Sequence, residues 1–189
     1  MQKKLLYIAP MSLALLLGAC NGNEDKDNNK GTDSKTSSVV DKKSKDESAS
    51  EDKYTFKDNV VKMHDLQIEI TKEKVLKVGD KGNEYGEKPV LALWYKVTNL
   101  TDKDLDPTTA WTVVFEAIQD NNKNSVNKLE VGALPDDRFL DTQTETIKKD
   151  GTVENAVSYE LDDLKTPVKL IANQGVGGKK LGEQTFDIK

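Results

Sequence analysis

Hydrophobic and polar residues alternate along most of the chain from residue 54 onward, and a period of two is typical of β-strands with one buried face. The first clear run keeps its apolar residues on one parity and resumes it after a polar interruption at 72–74: Leu66, Ile68, Ile70, Leu76 and Val78. The next run follows Pro89 and has apolar residues on both faces. A strand that is apolar on both faces is predicted to lie in the centre of a sheet.

The rest of the chain repeats this pattern between clusters of turn-forming residues at 98–102, 120–124 and 150–151. The apolar positions of the later predicted strands are Trp111, Val113, Phe115 and Ala117; Val126, Leu129 and Val131; Val153, Val157, Tyr159 and Leu161; Val168 to Ala172; and Phe186 and Ile188. The segment 134–139 fits either a short helix or an irregular loop. Six or seven strands without a long helical period predict an all-β fold, a β-sandwich.

The N-terminal residues have the parts of an export signal. Two lysines, at positions 3 and 4, precede an uncharged stretch of thirteen residues, Leu5–Leu17, which is shorter than the roughly 20 residues of a membrane-spanning helix. The stretch ends in Leu-Gly-Ala-Cys at 17–20, which resembles the lipobox of a bacterial lipoprotein signal peptide. The resemblance implies cleavage between Ala19 and Cys20, and attachment of a diacylglyceryl group, with fatty acids such as palmitate, to Cys20. Two acyl chains on one cysteine anchor a protein stably.

Residues 21–53 predict a disordered tether. They contain no aromatic residue, and their sizeable apolar residues are Val39 and Val40. Such a segment buries too little apolar surface to offset the entropy of ordering it, and as a flexible coil it would span roughly 30 Å. The predicted organisation is a signal peptide at 1–19, a lipidated linker at 20–53 and one folded domain at 54–189.

Composition and charge restrict the location and the partners. The formal net charge is −5, removal of the two signal lysines makes it −7, and Arg138 is the single arginine. Binding to nucleic acid needs a basic surface, so no nucleic-acid partner is expected. Cys20 is the only cysteine, so a lipidated chain has neither a free thiol nor a disulfide. The Lys- and Asn-rich composition is typical of low-GC Gram-positive bacteria, which predicts anchoring at the outer face of the cell membrane.

Four segments resemble a known family in their order along the chain. They are LALWYKVTNLTD at 91–102, FEAIQD at 115–120, KDGTVENAVSYELDDLKTPVKL at 149–170 and QTF at 184–186. The family comprises lipid-anchored lipoproteins of Gram-positive bacteria with a domain of unknown function, related to telokin-like immunoglobulin folds. The resemblance implies an immunoglobulin-like β-sandwich of seven to eight strands over residues 54–189, and it brings no catalytic residue.

Candidate catalytic and metal-binding residues do not form a known pattern in the sequence. His64 is the one histidine, so neither a catalytic triad nor a typical zinc site is expected. Alternate carboxylates at 102–106 begin like a calcium loop, but Pro107 and Val113 occupy the positions of the required Gly and Glu. The acidic pairs at 136–137 and 162–163 are expected on the surface; weak calcium binding by loops that meet in space is the alternative. We expect no catalytic residue, no metal site and no cofactor.

The remaining conspicuous residues have structural interpretations. Gly175–Lys180 lacks the spacing of a phosphate-binding loop and predicts a flexible hairpin. Asn99 begins a glycosylation triplet, but we expect its side chain to form an Asx-turn at the end of a strand. Trp111 shares the parity of Phe115 and is expected in the core. Trp94 is also expected in the core; if exposed, it would be the best anchor for a partner.

The sequence therefore predicts a lipid-anchored extracellular lipoprotein, not an enzyme, whose immunoglobulin-like domain is a non-catalytic interaction module. Its partner would be a protein or a cell-wall polymer, besides the membrane that holds the lipid on Cys20. The alternative is an accessory lipoprotein that binds a small molecule or a metal ion. A cell-wall hydrolase ranks last, because among thirty-three acidic residues some pair always looks plausible, and a small sandwich with short loops offers little cleft.

Overall fold

The computed structural model describes residues 54–188, which form eight β-strands, one α-helix and one 3₁₀-helix. In chain order the elements are β1 (Thr55–Lys57), β2 (Val60–Lys62), β3 (Leu66–Leu76), β4 (Val90–Asn99), α1 (Pro107–Val114), β5 (Phe115–Gln119), the 3₁₀-helix (Asp137–Phe139), β6 (Thr152–Glu160), β7 (Val168–Asn173) and β8 (Lys180–Phe186). The strands form two antiparallel sheets, which confirms the predicted all-β sandwich. Neither helix in this range has the length and apolar character of a membrane-spanning segment.

The strand order is that of an immunoglobulin fold. The sheets have the orders β1-β2-β3-β4-β6 and β5-β7-β8. In immunoglobulin domains strands A, B and E share one sheet and strands C, F and G the other. Here β3, β4 and β6 take the positions of A, B and E, and β5, β7 and β8 take those of C, F and G. β4 pairs with both β3 and β6, which confirms the prediction of a central strand.

The main core lies between the two sheets and uses alternate positions of their long strands. It includes Ile68 and Ile70 of β3; Leu91, Leu93, Tyr95 and Val97 of β4; Tyr159 of β6; and Val168, Leu170 and Ala172 of β7. Trp111 is 1% exposed, and its ring centroid lies 4.4 Å from that of Tyr95 and 4.3 Å from that of Phe115. The predicted core position of Trp111 is therefore confirmed. Ile188 is buried as well, although it follows the end of β8 rather than lying in a strand.

A β-bulge interrupts the pairing of β3 with β4. Ile70 pairs with Tyr95 and Lys72 with Trp94, so Thr71 is an extra residue on β3. Side chains alternate along a strand, and one extra residue therefore moves every later side chain to the opposite face of the sheet.

Because of the bulge, the last residues of β3 lie on the opposite face of the sheet from the one predicted. Leu76 was expected to share the buried face of Ile70, and this prediction is wrong. Leu76 instead joins Val90 and Ala92 in a small cluster on the outer face of the sheet. Val78 lies beyond the end of β3 and is 52% exposed.

Helix α1 replaces the first half of a predicted strand, so the prediction that Trp111 and Val113 lie in a β-strand is wrong. Asp106 begins the helix: its Oδ1 accepts the backbone N–H of Thr109 at 2.8 Å, and Pro107 occupies the first turn. The buried residues of α1 are Pro107, Ala110, Trp111 and Val114. Their i, i+3, i+4, i+7 spacing is the helical signal within a segment of β-branched residues.

The segment 127–134, here called the edge strap, joins the two sheets at one side of the sandwich. The backbone N–H of Leu129 donates to the carbonyl of Ala117 in β5, and that of Gly132 donates to the carbonyl of Ser158 in β6, both at 2.9 Å. The described contacts are isolated bridges, so the predicted strand through Val126, Leu129 and Val131 is wrong. The strap pairs with both sheets, so its contact with each sheet is too short to form a strand. The segment 134–139, left open between helix and loop, contains the 3₁₀-helix.

The opposite side of the sandwich is closed by β1 and β8. A Cβ on Gly182 of β8 would lie only 2.5 Å from the carbonyl oxygen of Phe56 in β1, so glycine permits this close approach. Asn59, in the turn after β1, donates its backbone N–H to Oε1 of Gln184 at 3.1 Å, and the Gln184 amide donates to the Asn59 side chain. Contacts within the chain therefore bridge the two sheets on both sides.

Candidate functional site

Trp94 lies on the outer face of the first sheet, between two depressions of the surface. It is half-buried against the outer cluster of Leu76, Val90 and Ala92, so its predicted core position is correct only in part. The depressions have volumes of about 310 and 290 Å³ and share Trp94 and its charged neighbours. We call this surface the Trp94 groove and define it by six residues: Lys72, Lys74, Lys81, Trp94, Asp136 and Arg138.

A hydrogen-bonded network fixes Trp94 in place. Its Nε1–H donates to Oδ2 of Asp136 at 2.8 Å. The Arg138 guanidinium donates to both carboxylate oxygens, from Nε to Oδ1 at 2.9 Å and from Nη2 to Oδ2 at 2.6 Å. These bonds, those from Arg138 above all, hold the pKa of Asp136 well below its ordinary value. The ionised carboxylate therefore ties the segment 134–139 to the sheet beneath it.

Three lysines line the surface depressions beside Trp94. The Nζ atom of Lys72 lies 4.5 Å from the ring centroid, a cation–π contact. The bulge at Thr71 places Lys72 on this face, and Lys74 follows on the same face two residues later. Lys72, Lys74 and Lys81 are all exposed, and within residues 54–188 none of them makes an ion pair.

Most carboxylates of this region already form an ion pair. Asp136 is paired with Arg138 at 2.6 Å, and Glu154, at the edge of the first depression, is paired with Lys96 at 3.5 Å. Asp137 lies at the rim of the second depression and is exposed. The three lysines therefore exceed the carboxylates that remain to balance them, and the groove is basic although the chain is acidic.

The loop between β3 and β4 positions Lys81. Asn83, 6% exposed, donates from its side-chain amide to the carbonyls of Leu76 and Lys88, at 3.4 and 2.9 Å. Gly82 has a φ of +89°, and a Cβ there would lie 2.2 Å from the carbonyl oxygen of Pro135. The loop therefore packs directly against the segment 134–139, and the adjacent Lys81 reaches the groove from this contact.

A larger cleft of about 570 Å³ continues beyond Gly82, which lines both surfaces. Its carboxylates are Glu84, Glu87, Asp137 and Glu160, and Tyr85 on its rim is 99% exposed. Its lysine, Lys88, pairs with Asp162 at 3.1 Å, which raises the pKa of Lys88. The surface is thus basic near Trp94 and acidic near Tyr85.

Other residues singled out in the sequence have structural positions. His64 is exposed between β2 and β3. Asn99 is 1% exposed, and its Oδ1 accepts the backbone N–H of Thr101 at 3.0 Å, which confirms the predicted Asx-turn and hides the side chain from glycosylation. The predicted hairpin at Gly175–Lys180 connects β7 to β8.

The acidic candidates are dispersed over the domain. Asp102 pairs with Lys149 at 3.1 Å, whereas Asp106 caps α1. Asp163 accepts the backbone N–H of Thr166 at 2.6 Å, and hydrogen bonds of this kind lower its pKa. In the part of the chain that the structure describes, His, Cys, Asp and Glu side chains form no group of three that could share a metal ion.

The predicted anchor lies outside the described residues. This applies to Ala19 and Cys20, to the signal peptide at 1–19 and to the linker at 20–53. Cleavage, lipidation and the tether therefore stay predictions.

Sequence reasoning identified Trp94 but not the cations around it. The alternation treats 72–74 as a polar interruption, and nothing in the local sequence marks Thr71 as the bulge that turns Lys72 and Lys74 outward. Asp136 lies two residues before Arg138, the single arginine, and this spacing indicates a local ion pair.

Residues 41–174 match the model of a family described as a domain of unknown function, DUF5067. Similar solved structures include a candidate lipoprotein from Staphylococcus aureus subsp. aureus NCTC 8325, with 21% sequence identity, a TM-score of 0.61, and coverage of 71% of this chain and 92% of that chain. An uncharacterised β-sandwich protein from Clostridium difficile 630 has 12% identity and a TM-score of 0.41, over 64% of this chain and 85% of that chain. No curated protein matches the chain with significant similarity. The Staphylococcus structure shares the fold.

Proposed function

The chain belongs to the DUF5067 family, and we propose that it is a lipid-anchored lipoprotein whose immunoglobulin-like domain binds a partner, without catalysis, through the Trp94 groove. Cys20 carries the lipid at the outer face of the cell membrane, and the linker at 20–53 lets the domain reach its partner. The signal-like N-terminus supports the anchor, and the Staphylococcus protein of similar fold is itself described as a candidate lipoprotein.

The observation that carries the binding function is the environment of Trp94. Its indole is partly exposed, while the bond from Nε1 to Asp136 at 2.8 Å and the Asp136–Arg138 pair hold it in one orientation. Tryptophan is enriched among the residues that dominate binding interfaces, since it offers a large contact area for few rotatable bonds. A surface that is rigid before binding loses less entropy when a partner docks.

Anchoring is tested in intact bacteria with the full-length chain. We expect wild-type protein to incorporate labelled palmitate and to sediment with membranes, and Cys20→Ala to do neither. Ser38→Ala, in the linker, is the matched control and should behave as wild type. Palmitate labelling of Cys20→Ala would refute the assigned lipidation site.

Binding at the groove is tested with a photo-crosslinking amino acid at Asp137, on the groove rim, and at Lys123, in the turn after β5, as the control. Illumination of intact cells should produce a higher-mass species from the Asp137 position and not from the Lys123 position. A discrete product indicates a protein partner, and a ladder indicates a polymer. Equal crosslinking at both positions, or none at either, would contradict binding through the groove.

A further inference from the structure

We infer that the partner of the Trp94 groove is a linear anionic polymer of the cell envelope, with one negative charge in each short repeat. This inference rests on the proposed binding function and specifies the chemistry of its ligand. Three features of the groove support it: its free charges, their spacing, and the contact that Lys72 makes with Trp94.

Ammonium groups, rather than a guanidinium, supply the free charge of the groove. Both carboxylate oxygens of Asp136 already engage the planar fork of Arg138, at 2.9 and 2.6 Å. Lys72, Lys74 and Lys81 make no ion pair with any of the described residues. Lysine binds oxyanions as a point charge from many directions, which suits a flexible chain of charges better than one rigidly held planar anion.

The spacing of the lysines favours an extended ligand. Lys72 and Lys74 lie on one face of β3 two residues apart, so their Cα atoms are about 6.6 Å apart. One compact anion would leave part of the charge of the three ammonium groups unbalanced, whereas a polymer with a charge at each short repeat can engage Lys72 and Lys74 and also reach Lys81 on the adjoining loop. The carboxylates of the neighbouring cleft, such as Glu84 and Glu87, repel the polymer and confine it to the Trp94 end.

The contact between Lys72 and Trp94 links the binding of an anion to the environment of the indole. Its Nζ now lies 4.5 Å from the ring centroid of Trp94. An anion that draws this ammonium away uncovers the ring face for the carbon skeleton of the same repeat. Trp94 and Trp111 are the two tryptophans of the chain, and Trp111 is 1% exposed, so a change in tryptophan fluorescence on binding reports on Trp94.

The test titrates the lipidated full-length protein, in detergent micelles, with polyglycerol phosphate while tryptophan fluorescence is followed at several salt concentrations. We expect a saturable change and an affinity that falls as salt rises. Lys74→Gln should weaken binding several-fold and reduce the slope of log affinity against log salt, which for single-stranded nucleic acid amounts to about 0.7 for each phosphate contact. Lys123→Gln, which removes the same charge away from the groove, should leave the slope unchanged. Trp94→Phe should abolish the fluorescence change.

Three comparisons would overturn the inference. Equal binding of neutral dextran excludes recognition by charge, and equal binding of a DNA oligonucleotide of matched charge shows a site without preference for an envelope polymer. If polyglycerol phosphate does not bind while the Asp137 crosslinker captures a protein, the ligand class is wrong and the binding function stands. Failure of both experiments refutes both proposals.

Discussion

Gln119 shows how one buried polar side chain holds a turn that the hydrophobic pattern leaves undetermined. It is fully buried, and its Nε2 donates to the carbonyls of Asp163 and Thr166 at 3.0 and 2.8 Å. Its Oε1 accepts the backbone N–H of Asp162 at 2.8 Å. These bonds fix the turn between β6 and β7. The sequence places Gln119 at a strand end, but the partners come from more than forty residues away and cannot be read locally.

Asp136 is the residue whose charge fastens Trp94 and the segment 134–139, and its replacement by Asn tests this role. The substitution is expected to lower the free energy of unfolding by about 1–2 kcal/mol at pH 7, because hydrogen bonds to a charged group are stronger than those to a neutral one. Urea unfolding measures the change. Asp137→Asn, an exposed neighbour outside the network, is the control and should have little effect.

The same variant gives a test against pH. The folded-state pKa of Asp136 lies below its unfolded-state value, so its stabilisation is complete above about pH 5 and is lost as the pH falls through the unfolded-state and then the folded-state value. The stability difference between wild type and Asp136→Asn should therefore shrink between about pH 5 and pH 2. A difference that stays constant over this range would contradict the assigned pairing.

Apolar runs bounded by clear turns made β4, β6 and β7 predictable. Helix α1 was missed because Thr and Val give the segment a strand-like composition, while the Asp106-Pro107 start and the helical spacing of its buried residues were the stronger signals. β1 and β2 have three residues each, too few to show a period. The edge strap was misread because its alternating residues pair with two different sheets.

The cap of α1 can be tested by Asp106→Ala. Loss of the bond from the Thr109 amide to Oδ1 should lower the free energy of unfolding by about 1 kcal/mol. Asp104→Ala removes a nearby exposed carboxylate of the same turn and should change stability little. Equal effects of the two substitutions, by chemical denaturation, would show that net charge rather than capping is responsible.

The role of the bulge can be tested by deleting Thr71. Deletion of Thr71 leaves Ile70 opposite Tyr95 and Lys72 opposite Trp94, so all side chains keep their faces and the domain should stay folded. Deletion of Lys96 from the regular part of β4 would turn half of that strand inside out and should unfold the domain. Far-UV and near-UV circular dichroism distinguishes the two results, and unfolding by both deletions would refute the proposed role of Thr71.

The sandwich depends on the core that lies between its two sheets. The predicted fold class follows from alternation and is confirmed, but the Trp94 groove combines β3, β4, the loop after β3 and the segment 134–139. The sequence therefore predicts Trp94 as a candidate anchor but does not predict which residues surround it. Which side chains surround an exposed aromatic residue depends on the bulge and on loop packing, neither of which has a regular period.

Phe115→Asp tests the dependence on this core. Phe115 is 7% exposed, with its ring centroid 5.3 Å from that of Phe56 and 4.3 Å from that of Trp111. The substitution removes roughly 1.5–3 kcal/mol of burial and adds an unpaired buried charge, so the thermal midpoint should fall by more than about 10 °C. Phe115→Leu, which keeps the site apolar, should cost far less. An unchanged midpoint for Phe115→Asp would remove this residue from the core.

Under the proposed N-terminal anchoring, the position of β1 has a mechanical consequence. A pulling force transmitted through the residues before Tyr54 enters the domain at β1, which pairs with β2 over three residue pairs, whereas β3 and β4 share ten. A hairpin pulled at one end loses its hydrogen bonds one pair at a time, so β1 yields at a lower force than the strands that carry Trp94. A partner bound at the groove would stay attached while β1 detaches from the sheet and extends under the force.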